Sequence, residues 1–313
     1  MKSLSLSIIR LLMVAAAFSG CSSIDDEQNV ADGQCPFSGI ASKLGGISES
    51  EDDNGESTRS IFFGGSNGNR FFQGWDTYDE PMVYSGSTFL GTLKPSEFGV
   101  SKTTLTGTLS GTFSVGNQLT LYSPSPECDF RGQKGSIASM SANYSFMTTT
   151  ATIAKVSGSN VTTSDMNFSS FCEFFTFIFT DENERLLHVK KLTITSETGQ
   201  LVETLNLLTN AVTYTNNLVI TTEKENSTSD YPTALYVVIL NHNTATKDTY
   251  TLTAVTSDGK TYEAKNTWSS LFGAGKHIYV RRQLECIDVE AGVSTGITPP
   301  TDEDVVIDNV TKE

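Results

Sequence analysis

The sequence predicts an all-β protein, on three observations. Short apolar runs recur between turn residues about every 8–12 positions, a spacing typical of a sandwich or a barrel. Threonine and serine are abundant, and the β-branched side chain of threonine suits a pleated surface. No window has the 3.6-residue apolar spacing of an amphipathic helix. The chain therefore carries many short strands joined by tight turns.

The first strands are predicted between residues 60 and 155. Residues 61–63 and 70–72 flank a glycine-rich segment, residues 64–68, and this pattern predicts a hairpin. Residues 103–109 alternate, with Leu105 and Leu109 on one face.

The strand pattern continues between residues 156 and 289. Residues 171–179 form an aromatic run that predicts a strand buried on at least one face. The near-continuous apolar run at residues 235–240 predicts a central strand. Asp258-Gly259 lies between two alternating segments and predicts a tight hairpin.

The first 20 residues have the three zones of a secretory signal peptide. Lys2 and Arg10 precede an apolar run, residues 11–17, which is too short to span a bilayer. Ser19-Gly20-Cys21 follows and resembles a bacterial lipobox, in which the cysteine is lipidated and becomes the new N-terminus. The sequence thus predicts a lipid anchor on Cys21, and through it a membrane partner. The alternative is an ordinary secretory signal that contains a cysteine.

Residues 21–58 are predicted to be an acidic, flexible tether or propeptide, which a basic residue, Arg59, closes. Within it, residues 39–41 are a poor strand candidate. The acidic run after Cys21 resembles a surface-export signal of Bacteroidetes lipoproteins, and the alternative is a solvated linker. The whole chain has a net charge of −15, which argues against a nucleic-acid partner.

The remaining chain divides into two predicted β domains and a tail. The domains cover residues 59–155 and 156–289, and the tail covers residues 290–313. The tail contains a β-forming triplet, Val305-Val306-Ile307, which can pair with an exposed sheet edge on another molecule. The alternative for this segment is a frayed terminus.

Four cysteines accompany Cys21, and their spacing matches no metal site: Cys35, Cys128, Cys172 and Cys286. In an oxidising compartment, they allow two disulfides with three connectivities. Pairing of Cys172 with Cys286 leaves Cys35 with Cys128. The alternative is four buried thiols.

The sequence contains no recognisable catalytic constellation. Its three histidines lie in no metal-binding pattern, and its glycines match no dinucleotide or phosphate fingerprint. Residues 64–68 match G-x-S-x-G, but a strand-like segment follows them where a nucleophile elbow needs a helix. We therefore expect a protein without catalytic residues, metal ligands or a cofactor.

Three groups of motifs lie at residues 132–147, 188–199 and 250–279, and their order and spacing carry a resemblance to a known family. Together with the lipobox they resemble the fimbrillin-like proteins of Bacteroidetes. The resemblance implies two transthyretin-like β-sandwich domains in tandem, export as a lipoprotein, and assembly into pili on the outer-membrane surface with other pilin subunits as partners.

The resemblance also implies a route of assembly. In such proteins, a protease cuts after an arginine, which here corresponds to Arg59, and removes a first strand. The vacated groove accepts a strand from the tail of a neighbour, which here corresponds to Val305, Val306 and Ile307. If residues 61–63 begin the first strand, however, this cut removes only a tether. The alternative is then a tip or anchor subunit, which need not be cut.

A surface-binding lipoprotein or tip adhesin is the alternative function. Such a protein holds a glycan or a host protein with its loops, and exposed aromatic side chains favour it. The candidates in this sequence are Trp75, Tyr78 and Trp268.

Overall fold

The computed structural model describes residues 30–44, 61–64, 70–224, 230–240, 248–268, 277–287 and 305–308. It gives the backbone alone for Val30, Leu44, Asn266 and Trp268 and for residues 61–64, 70–73, 277–279 and 305–308. Within these ranges almost every element is a strand, so the all-β prediction is confirmed.

The strands of the first part of the chain are β1 (Val30–Leu44), β2 (Ile61–Gly64), β3 (Arg70–Gln73), β4 (Met82–Ser85), β5 (Thr88–Pro95), β6 (Lys102–Ser114), β7 (Gln118–Ser123), β8 (Glu127–Asp129), β9 (Met147–Ser157), β10 (Asn160–Thr163) and β11 (Met166–Ser170). Those of the second part are β12 (Glu173–Thr180), β13 (Val189–Ser196), β14 (Leu201–Asn206), β15 (Ala211–Thr215), β16 (Asn217–Thr221), β17 (Ala234–Ile239), β18 (Asp248–Thr256), β19 (Thr261–Trp268), β20 (His277–Gln283), β21 (Glu285–Cys286) and β22 (Val305–Asp308).

A short helix, α1 (Ile137–Asn143), lies between β8 and β9. Ser136 caps its N-terminus, because the Ser136 hydroxyl accepts a hydrogen bond from the Ser139 amide at 3.1 Å. Seven residues are too few to show helical periodicity in the sequence, and this explains why no helix was predicted.

The first sheet closes on itself. Around the ring, β1 pairs with β6, β6 with β5, β5 with β4, β4 with β7, and β7 with β9. β10 and β11 each pair with β9 on one side and with β1 on the other. Closure leaves no free sheet edge along this path.

The first sheet encloses the first core, which draws on residues 31–121 and 147–168. Its largest fully buried side chains are Trp75, Leu93, Leu105, Leu109, Phe113 and Phe168. The predicted alternation of β6 is confirmed, because Leu105 and Leu109 both lie in this core.

The second core lies among three further sheets, in the orders β17-β12-β20-β22, β16-β13-β18-β19-β21 and β15-β14-β8. β12 supplies its aromatic centre: Phe174, Phe175, Phe177 and Phe179 are all buried. The predicted hairpins are also present, since β2 pairs with β3 and Asp258-Gly259 joins β18 to β19.

Residues 30–44 form a strand, so the prediction of a flexible tether is wrong for this part of residues 21–58. Despite Gly33, Pro36 and Gly39, the segment is extended through its whole length. The reason is tertiary: it pairs on both sides, and its alternate side chains enter the first core. Residues 39–41, a poor strand candidate by propensity, lie in its middle.

The predicted boundary between residues 155 and 156 falls inside β9. The two cores are interleaved along the chain, because residues 128–146 contribute to the second core and residues 147–168 return to the first. Turn signals in the sequence do not reveal which core a strand joins.

β17 was predicted to be a central strand, but it is the outer strand of its sheet in the described part of the chain. Its outer edge is covered by a loop. The Gln133 side chain accepts from the Val238 amide at 2.8 Å and donates to the Val238 carbonyl at 2.7 Å, and the Gly135 carbonyl accepts from the Tyr236 amide. This cover makes an apolar outer strand tolerable.

We expect β1 to contribute to the first core as strongly as an internal strand does. Phe37→Ala should lower the free energy of unfolding by about 3–5 kcal/mol, because the buried ring leaves a cavity. Ile40→Ala is the matched control on the outer face, where Ile40 is 41% exposed, and should cost below about 1 kcal/mol. Urea unfolding measures both, and equal effects would contradict the placement of β1.

Candidate functional site

The candidate site is the groove that β1 fills. On one side β1 pairs antiparallel with β6, continuously from Val30–Ser114 to Ser42–Lys102. On the other side it runs parallel to two short strands, β10 near Phe37 and β11 from Ala41 onward. β1 is thus the backbone partner of one edge of β6 and of one edge each of β10 and β11. Within the described ranges, no other strand pairs with these edges along the length of β1.

The inward face of β1 gives the groove a defined profile. Its buried residues are Ala31, Cys35, Phe37, Gly39, Ala41 and Lys43. The Gly39 position is the narrowest, because a Cβ atom there would clash with Thr163 Oγ1 and Met166 Cε. This position therefore favours a residue without a side chain.

A buried ion pair lies at the C-terminal end of the groove. Lys43 Nζ is 2.7 Å from Asp79 Oδ2 and donates to the Gly74 carbonyl at 3.0 Å. The side chains of Lys43 and Asp79 are 1% and 10% exposed. The ammonium also lies 4.7 Å from the centre of the Trp75 ring, within cation–π distance. These contacts fasten the end of β1 to the loop that follows β3.

The loop presents Asp79 in a fixed position. The Asp76 amide donates to Asp79 Oδ2 at 2.6 Å, and the Asp79 amide donates to the Asp76 carbonyl at 3.1 Å. Burial lowers the pKa of Lys43, while the charge and hydrogen bond of Asp79, and the charge of Asp76, act in the opposite direction. The buried ammonium therefore depends on these carboxylates, and Asp79 in turn faces a cation in a site that excludes water.

The three aromatic candidates have different outcomes. The Trp75 ring is fully buried and packs edge-to-face on Phe168 at 5.2 Å, so its prediction as an exposed contact residue is wrong. The loop folds back over the end of the first core and takes Trp75 with it. Tyr78 is 83% exposed. The side chain of Trp268 lies outside the described part.

The tail triplet forms a strand, but within its own chain. β22 pairs antiparallel with β20, with Val305 opposite Val280, Val306 opposite Tyr279 and Ile307 opposite Ile278. The tail strand is therefore seated on a sheet edge of the second part of the chain. Cys21 and Arg59 lie outside the described residues.

The four cysteines are free thiols, and neither predicted disulfide is formed. Cys35 belongs to the first core, and Cys128 and Cys172 belong to the second, while Cys286 is half-buried in β21. Burial raises the pKa of Cys128 to about 12 and also raises the pKa of Cys172. For Cys35, burial and then the charge of Asp32 raise the pKa. Three of the thiols are thus buried and poorly ionised.

The described residues hold no group of three or more His, Cys, Asp or Glu side chains that could bind a metal ion. Nor do these ranges contain a helix long and apolar enough to cross a membrane.

Sequence reasoning missed Lys43 and Asp79. A signal was present for Lys43, which lies at an even spacing from Cys35 and Phe37 and hence on the same face of an extended segment. No comparable local signal links Asp79 to it, because 36 positions separate the two residues.

The structure is similar to solved structures of bacterial surface proteins. A protein assigned to cell adhesion from Bacteroides ovatus has 13% identity and a TM-score of 0.45 over 82% of this chain and 96% of its own. A fimbrial assembly protein from Parabacteroides distasonis has 9% identity and a TM-score of 0.40 over 89% and 100%.

The shaft pilin spaA from Lactobacillus rhamnosus GG has 12% identity and a TM-score of 0.32 over 85% of this chain and 100% of its own. No protein-family model matches the sequence, and no curated protein matches it.

We expect Lys43→Ala to lower the free energy of unfolding by about 3–5 kcal/mol, because it leaves the buried Asp79 carboxylate without the ammonium. Lys94→Ala is the matched control: Lys94 pairs with Glu80 at 2.9 Å, but their side chains are 70% and 49% exposed. The control should cost at most about 1 kcal/mol in the same urea titration. A similar loss of unfolding free energy in both variants would show that the buried Lys43–Asp79 pair stabilises the fold no more than an exposed pair does.

The thiols offer a second check. In the mature chain without Cys21, iodoacetamide at pH 8 should label at most Cys286 under native conditions and all four cysteines in urea. Intact mass spectrometry counts the labels. A native mass lower by two hydrogens with only two labels in urea, or lower by four hydrogens with no label in urea, would instead demonstrate one or two disulfides.

Proposed function

We propose that this chain is a structural subunit of a cell-surface filament, exported as a lipoprotein through Cys21 and joined to other subunits by strand exchange. In this proposal, proteolysis after Arg59 releases β1 and the tail of a neighbouring subunit takes its place. One observation carries the proposal: β1 lies on the N-terminal side of Arg59 and closes the first sheet.

A cut after Arg59 converts β1 into a separate peptide held only by non-covalent contacts. Loss of β1 opens the ladders along β6 and along β10 and β11, and it empties the positions of Phe37 and its inward neighbours. Open edges next to an apolar groove are a template for another extended segment. The cut therefore creates an acceptor site.

The tail supplies a donor of suitable kind. β22 is extended and already pairs with a sheet edge, that of β20. Residues 287–304 connect it to β21, and a segment of that length spans about 60 Å when extended. The tail is thus long enough to leave its own chain and reach a second one.

Exchange between a groove in the first part of one chain and the tail of another is heterologous. Such a contact generates a filament when it is repeated without closing into a ring. In this proposal the partners are other pilin subunits, the location is the outer-membrane surface, and no catalytic residue or cofactor takes part.

One observation favours the second candidate, a tip adhesin or surface-binding lipoprotein. Tyr78 is 83% exposed, and Phe98 on a neighbouring loop is 48% exposed. Hydrogen bonds between Trp75 and both Gly99 and Val100 join the two loops. Exposed aromatic side chains on two connected loops can hold a glycan or a host protein. Binding on a glycan array that Tyr78→Ala abolishes would support this candidate.

Strand exchange is tested by limited digestion of the mature chain with trypsin. We expect a cut after Arg59, identified by N-terminal sequencing, to convert monomers into SDS-resistant ladders. Arg59→Gln should remain monomeric under the same digestion, and so should a chain that ends at residue 289. A cut product that loses β1 and stays monomeric would refute assembly through this groove.

A further inference from the structure

We propose that the tail of a second copy enters the β1 groove in one register, with Lys312 in the place of Lys43 and paired with Asp79. This inference rests on the proposed strand exchange and adds its register. It identifies Asp79 and Lys312 as the residues that select the incoming strand.

The groove requires a cation at this end. When β1 leaves, the Asp79 carboxylate loses the ammonium 2.7 Å away, and the Trp75 ring loses the charge above it. Asp79 is only 8% exposed with β1 in place, so a strand that refills the groove buries its carboxylate again. A buried carboxylate deprived of its cation is strongly unfavourable. An incoming strand that supplies a cation at this position is therefore favoured over one that does not.

The tail contains one cation, Lys312, and it lies at the matching spacing. If the tail runs in the direction of β1, residues 306, 308, 310 and 312 can take the positions of residues 37, 39, 41 and 43. Val306 and Val310 then face the first core, and Lys312 reaches Asp79. The same direction preserves the pairing of the groove with β6 and with β11.

Other registers place no cation at Asp79. A shift by one residue turns every side chain to the opposite face. In one direction it sets Glu313 against Asp79, which brings two carboxylates together in a buried site, and in the other it sets Thr311 there, which carries no charge. A shift by two residues towards the N-terminus of the tail sets Val310, an apolar residue, against Asp79. Charge complementarity therefore selects one register.

This register contains one misfit, which makes it testable. Asp308 takes the position of Gly39, where a Cβ atom meets Thr163 Oγ1 and Met166 Cε and where the carboxylate is buried without a cation. The Thr163 hydroxyl has no hydrogen-bond partner among the described residues. If the Thr163 side chain rotates away from the incoming Cβ atom, its hydroxyl can donate to the Asp308 carboxylate. The fit remains tight, and a glycine at residue 308 should fit better.

The test uses one chain that can only accept a tail strand and a second chain that can only donate one. The acceptor is the mature chain ending at Asp308 and cut after Arg59, so that it keeps β22 but lacks Lys312. The donor is the full mature chain carrying Arg59→Gln, so that it keeps β1. After the protease is quenched, the two are mixed, and native mass spectrometry gives the donor concentration at half-maximal heterodimer.

We expect Lys312→Gln in the donor to raise that concentration about ten-fold. The control Lys260→Gln removes the same charge from an exposed hairpin and should leave the concentration unchanged. Against an Asp79→Asn acceptor, the unaltered and Lys312→Gln donors should differ by less than about two-fold. Asp308→Gly should lower the concentration with the unaltered acceptor, a measurement that requires no acceptor variant to fold.

The outcomes distinguish this inference from the proposed function. Heterodimers that form equally well with Lys312→Gln, and less well with Asp308→Gly, would overturn the register and leave strand exchange standing. No heterodimer with the unaltered donor would overturn strand exchange itself, and the register with it.

Discussion

The first sheet and the core inside it depend on one strand, β1, which closes the sheet. β1 pairs along one edge with β6 and along the other with β10 and β11, so a single strand removes two open edges at once. Phe37 and its inward neighbours fill the first core, and the Lys43–Asp79 pair fastens the strand at its end. A strand near the N-terminus thus completes a core built mostly from later residues.

The same arrangement connects stability with the proposed assembly. A closing strand that precedes a cleavable segment is stable in an intact chain and replaceable in a cut one, because the cut removes only the covalent connection. The second core draws on residues 128–146 and 172–284 and includes no residue of β1, so it can persist while the first sheet is opened. The tail strand belongs to this second part, where it pairs with β20.

Local patterns predicted the elements whose signal is local. β6 alternates, β12 is an aromatic run, and Asp258-Gly259 marks a hairpin, and all three were found as expected. β1 was missed because its glycines and proline lower its strand propensity, and its neighbours impose its extended form. The Lys43–Asp79 pair joins segments 36 positions apart, and Trp75 is buried by a loop that folds back, so neither follows from a local pattern.

Replacement of β1 can be followed by amide hydrogen exchange of the assembled product. If the tail of a second copy replaces β1, peptides from residues 30–44 disappear from the product, β6 stays protected, and residues 306–312 are all protected. Retention of a protected β1 peptide, with a tail that exchanges freely, would show that β1 is not replaced.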